Sequence, residues 1–193
     1  MINKKEILQQ AFVEKYITFF DNDNTTVTLV ENDANNGLAN ARIFGVSGGS
    51  LLIGLHKSGP VPALIKADKF HGYHKKCDYV LLTKVDEHPV IFFIELKSEN
   101  VDEKEVIYQL KGATCIADYL KSFSLRFLGI QPLEFEERFV VFYRSRQHSD
   151  KIPLWYNIRL PFVSDQPNTL PDYAIALPDP DKNKYTVQDL IRN

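Results

Sequence analysis

The segment Val90-Ile91-Phe92-Phe93-Ile94-Glu95-Leu96-Lys97 constrains the fold more than any other part of the chain. Its apolar run does not alternate, so it reads as a strand covered on both faces, the kind found at the centre of layered α/β sheets. It closes on Glu95 and Lys97, which are two residues apart and therefore share one face of the strand. A buried carboxylate or ammonium is costly unless a partner or a metal compensates it. A second run, Asp78-Tyr79-Val80-Leu81-Leu82, has the same apolar character and opens on an acid.

Val85-Asp86-Glu87-His88-Pro89 connects the two runs. A hairpin turning between Asp86 and Glu87 pairs residues whose numbers sum to 173, which sets Asp78 opposite Glu95. Their Cβ atoms would then lie about 5 Å apart. Two like charges so close destabilise a bare sheet, and a divalent cation between them removes the penalty. Oxygen ligation by Asp78, Glu95 and the Leu96 carbonyl, completed by water and a substrate phosphate, suits Mg²⁺ or Mn²⁺. Such an ion lowers the pKa of a bound water and stabilises charge on a phosphate. Lys97 would neutralise charge and orient the attacking water.

The remaining pattern predicts an α/β chain. Lys4 to Phe20 reads as a helix with Ile7, Leu8, Ala11, Phe12 and Phe19 on its apolar side, followed by a strand over Thr25–Glu31 and a turn-rich break over Asn32–Gly37. Short strands are expected at Ala41–Val46 and Leu51–His56, joined as a hairpin by Ser47-Gly48-Gly49-Ser50. After Lys97, Asn100 caps a helix with Glu103 completing a capping box. The helix carries Ile107, Leu110, Thr114, Ala117, Leu120 and Phe123 on one stripe and ends before Gly129. The buried strand Arg138–Tyr143 follows, so strand, helix and strand make a crossover with parallel pairing. A further strand is expected at Leu154–Leu160. Half of the ten prolines lie in the last 33 residues. The stretch from about 161 to 193 therefore reads as an irregular, proline-rich arm before a short helix near Val187–Ile191. With 193 residues and 44% hydrophobic content, the chain is expected to form a single domain, 1–193.

Asp78, a hydrophobic strand, then Glu95-Leu96-Lys97 at the end of the next strand with a helix after it, resembles the motif of the PD-(D/E)XK, or restriction-endonuclease-like, nuclease superfamily. The resemblance covers roughly Lys75 to Tyr143. It implies a restriction-endonuclease-like core, a central mixed β-sheet flanked by helices, in which Asp78 and Glu95 hold the metal and Lys97 assists catalysis. A polar residue of the following helix often joins the site, and Gln109 is the best match. Cys77 stands where the family has its proline. Glu14 and Glu6 are candidates for the acid that some members supply from the first helix. The implied activity is a Mg²⁺- or Mn²⁺-dependent endonuclease acting on nucleic acid, DNA before RNA, as a homodimer. Restriction, phage defence, repair and junction resolution are all open, as is a protein partner for targeting. The alternative is a non-catalytic module of the same fold that binds nucleic acid or a protein, against which stands the presence of all three residues.

The net charge of -2 supplies no global attraction to nucleic acid, so local basic stretches matter more. One holds Lys66, Lys69, His71, His74, Lys75 and Lys76; from it Lys69, Lys75 and Lys76 are candidate phosphate contacts. Another holds Arg138, Arg144, Arg146, His148 and Lys151. His71, His74 and Cys77 have ligand-like spacing, but a structural zinc needs a fourth ligand. Cys77 is better read as buried at the start of an apolar strand. Neither Cys77 nor Cys115 has local support as a nucleophile. Asp102 to Lys104 repeats the acid-x-lysine spacing on what reads as solvated helix surface. Two cysteines make no disulfide framework, and Met1 to Glu6 leads into an amphipathic segment instead of an apolar signal core. No apolar run approaches the roughly 20 residues of a spanning helix. A cytoplasmic protein without membrane association is therefore expected.

Overall fold

The computed structural model describes residues 16–30, 41–55, 75–97, 102–131, 133–143, 168–171, 174–178 and 184–191. Several expectations lie outside these residues: the first helix up to residue 15 with Glu6 and Glu14, the Asn32–Gly37 turn, Lys66, Lys69, His71, His74, Asn100, Arg144, Arg146, His148, Lys151 and the strand at Leu154–Leu160.

The apolar runs form the centre of a six-stranded mixed sheet. Its strands are β1 (Ile17–Phe20), β4 (Ser50–Gly54), β5 (Tyr79–Val85), β6 (His88–Lys97), β7 (Glu136–Tyr143) and β8 (Ile175–Pro178), adjacent in that order. The β5–β6 hairpin has the expected register, running from Tyr79 opposite Ile94 to Val85 opposite His88. Asp86 and Glu87 form its turn, both with positive φ (48° and 65°), as a two-residue type I′ connection demands. β6 and β7 pair in parallel, joined by the single helix of the described residues, α1 (Glu103–Leu128). A crossover connection thus follows the long apolar strand, as the parallel pairing requires.

A smaller sheet, β2 (Thr25–Leu29), β3 (Ala41–Val46) and β9 (Tyr185–Thr186), covers the other face. Val27, Leu29, Ala41 and Ile43 pack with Leu81, Phe92, Ile94 and Phe142 between the two sheets. On the opposite side Ile91, Phe93 and Phe139 pack against Val106, Leu110, Ala113 and Ala117 of α1. Alternate residues of β6 thus feed two cores, which is why the run is apolar at every position. The sheet is therefore faced by a helix on one side and a second sheet on the other, where helices alone were expected.

Four further expectations are corrected. Residues 17–20 are strand β1, not the end of a helix; the β-branched and aromatic Ile-Thr-Phe-Phe pairs with β4. Ser47–Ser50 is not a hairpin, because β3 and β4 belong to different sheets. Gly45, at φ 74°, sits where the β2–β3 register shifts, and the chain then swings into β4. Asp102, not Asn100, caps α1, accepting from the Glu105 backbone N–H at 3.2 Å. The proline-rich tail is built into the core: β8 extends the large sheet beside β7, β9 extends the small one beside β3, and a 3-10 turn (Gln188–Leu190) closes it. Buried Asn168 ties these parts together, donating from Nδ2 to the carbonyls of Phe139 (3.1 Å) and Leu190 (2.8 Å). No helix of the described residues is long and apolar enough to cross a membrane.

Candidate active site

One end of the large sheet, where β5 begins, β6 ends and α1 starts, brings Asp78, Glu95 and Lys97 together. Asp78 immediately precedes β5, and the β5–β6 register continued by one residue sets it across from Glu95. Both have the parity of Val80, Ile91 and Phe93, so they face the α1 side of the sheet. Two backbone contacts fix Asp78 to the neighbouring strands. Its carbonyl accepts from the Leu55 N–H at the end of β4 (2.8 Å), and its Oδ2 accepts from the Leu96 N–H (2.8 Å).

Glu95 is 1% exposed. Its Oε1 lies 2.7 Å from Lys97 Nζ, whereas its Oε2 is buried with no hydrogen-bond partner. Burial, and then the charge of Asp78, push its pKa up to about 8 from 4.5 against the opposing pull of Lys97. The Glu95–Lys97 contact would by itself hold the carboxylate ionised. Desolvation is the larger effect here because the side chain lies inside the layered core, so near neutral pH the carboxyl carries a proton and the contact is a hydrogen bond from the ammonium. Oε2 is thus a buried polar atom that the surrounding side chains and backbone leave unsatisfied.

Lys97, with its side chain 19% exposed, also donates to Gln109 Oε1 at 2.8 Å. The helix residue singled out from sequence therefore does touch the lysine. An ammonium has three N–H donors, and these two acceptors fix its direction while the third stays available. Lys75 reaches the same stripe of α1, its Nζ 2.8 Å from Glu105 Oε1, a bond that draws the Glu105 pKa down. Lys76 is half-buried, and burial lowers its pKa. Lys75 would thus have to exchange Glu105 for a phosphate to serve as a substrate contact.

Cys77 is fully buried and donates from Sγ to the Tyr79 carbonyl at 3.2 Å. Burial, with the acids at 95 and 78, raises its pKa well above the ordinary thiol value, which leaves it a poor nucleophile. Cys115 is exposed on the helix. Among the described residues no group of three or more His, Cys, Asp or Glu side chains is arranged to hold a metal, so a cation here would rely on Asp78, Glu95 and backbone or water oxygens.

Two contributors were not legible as site residues: Glu105, which holds Lys75, and Gly112, against which the backbone of Lys75 lies. With Gln109 they fall at i, i+4 and i+7, one stripe along α1, and that spacing was the available signal. Of the helix stripe expected from sequence, Leu110 and Ala117 are buried, whereas Val106 and Ala113 are buried where Ile107 and Thr114 were expected. No protein-family model, curated protein or solved structure matches this chain.

Proposed function

We propose that this protein is a metal-dependent nuclease of PD-(D/E)XK type, with a restriction-endonuclease-like core, that hydrolyses phosphodiester bonds in DNA in preference to RNA. The observation that carries the reading is the meeting of Asp78, Glu95 and Lys97 on one face at the sheet end, with a buried Glu95 oxygen left without a partner.

Asp78, Glu95 and the Leu96 carbonyl would hold Mg²⁺ or Mn²⁺. The donor set fits a hard cation, because it offers oxygen only and includes an acceptor that nothing in the protein satisfies. When bound, the ion supplies a water of lowered pKa and offsets charge on the phosphate. The chain's own residues position the rest. Lys97, fixed by Glu95 and Gln109, directs its remaining donor at the attacking water or a phosphate oxygen. The Leu96 N–H keeps the Asp78 carboxylate turned towards β6. Lys75 and Lys76 stand beside this end of the sheet, where a phosphate backbone would pass. Two copies acting together would address the two strands of a duplex.

The test is cleavage of supercoiled, linear and branched DNA, and of RNA, in Mg²⁺, Mn²⁺ or chelator, by the protein and its Lys97→Ala variant. Metal-dependent cleavage lost in the variant supports the reading. Equal cleavage by both proteins, or none by either, sinks it, and the second result favours a module that binds nucleic acid or a protein partner without cutting.

A further inference from the structure

Glycine inside a helix is unfavourable unless something needs the missing side chain. Gly112 lies in the middle of α1 with ordinary helical φ, so backbone conformation does not require it. Space does. A Cβ at this position would lie 1.8 Å from the carbonyl oxygen of Lys75 and 3.0 Å from its carbonyl carbon, where ordinary contact begins at 3.4 Å. The obstructing atoms are backbone and cannot swing aside as a side-chain end would.

We infer that Gly112 is a positioning residue for Asp78: it lets the segment that leads into Asp78 lie directly on the helix backbone and so sets the distance of that carboxylate from Glu95 and Lys97. Contacts at both of its ends make the segment a lever. Lys75 is held to the helix through Glu105 at 2.8 Å. Asp78, three residues on, is held to β4 and β6 through the Leu55 and Leu96 amides. Gln109, on the same stripe as Gly112, holds Lys97. One helical stripe thereby sets both halves of the site, the aspartate through Gly112 and the lysine through Gln109. This role rests on the metal-site reading above. A methyl group at 112 must drive Lys75 outward, and a misplacement of about 1 Å at a reacting centre costs about a hundredfold in rate.

The experiment uses the full chain and Gly112→Ala. Amide hydrogen exchange is read at Leu96, whose N–H is bound by Asp78, against Ile91 to Ile94 in the same strand; Mn²⁺-dependent cleavage and melting are measured alongside. The expected result is loss of protection at Leu96 without loss at Ile91 to Ile94, and kcat lower by about a hundredfold, in a variant that still melts cooperatively. Unchanged Leu96 exchange and kcat overturn the inference while wild-type cleavage leaves the nuclease reading standing. A variant that does not fold also overturns it, making Gly112 a packing requirement of the whole domain. If the wild type neither binds Mn²⁺ nor cleaves, the nuclease reading fails, and selective loss of Leu96 protection would still establish that Gly112 positions Asp78.

Discussion

Glu95→Gln preserves the shape of a side chain that is 1% exposed and removes its titration. With the Glu95 pKa at about 8 instead of 4.5, the folded protein holds a proton that the unfolded chain releases over that interval. The folded state binds more protons, so the contribution of this group to stability is complete below about 4.5 and is lost as pH rises through about 8. At about 1.4 kcal/mol for each unit the ceiling is about 5 kcal/mol. Water reaching the partly exposed Lys97 keeps the effective dielectric nearer 20 than 4, which brings the expected loss to about 2 kcal/mol. For a chain of this length that is about 4–8 °C in Tm. The assay is thermal melting of chelator-treated wild type and variant from pH 5 to pH 8.5, because the other titrating groups are common to both and cancel in the difference. The variant should match the wild type near pH 5 and exceed it by about 4–8 °C at the alkaline end. Parallel curves across the whole range would refute the argument that burial of this carboxyl dominates its environment.

Further outcomes follow from single contacts. Lys97→Ala should lower single-turnover cleavage at saturating Mn²⁺ by about 10²- to 10⁴-fold. Gln109→Leu, which removes one of the two acceptors that aim the lysine, should cost about tenfold in the same assay. Tyr79 donates to the Val30 carbonyl (2.6 Å) and accepts from its N–H (3.0 Å), linking β5 to the end of β2. Tyr79→Phe should cost about 1–2 kcal/mol in urea unfolding. Asn168→Ala leaves the Phe139 and Leu190 carbonyls without their buried donor and should cost about 1–3 kcal/mol in the same measurement.

The central hairpin was legible because every residue of β6 except its ends meets a core, and only a strand between two layers has that pattern. Its register followed from the two-residue turn at Asp86 and Glu87, and the register placed Asp78 across from Glu95 without any long-range information. The parallel β7 was legible for a similar reason, since a helix of 26 residues between two apolar runs leaves a crossover as the short connection. What escaped notice depends on contacts distant in sequence. The tail reads as irregular because its strands are short, four residues in β8 and two in β9. They exist because β7 and β3 offer them free edges. Ser47–Ser50 has the composition of a hairpin turn, but the register shift at Gly45 redirects the chain between sheets. In the site, Glu95 and Lys97 were visible as charges at the end of a buried strand, Asp78 through the hairpin register, and Gln109 only through the family resemblance. Gly112 was not, because its contribution is the absence of an atom beside a backbone that sequence alone does not bring near.

The most direct test of the central claim is Mn²⁺ binding followed by electron paramagnetic resonance on the wild type, Asp78→Asn and Glu95→Gln. Saturable binding by the wild type at pH 8, lost in both variants while each remains folded, is the expected result. Binding of equal strength in all three proteins, or none in the wild type, would contradict it.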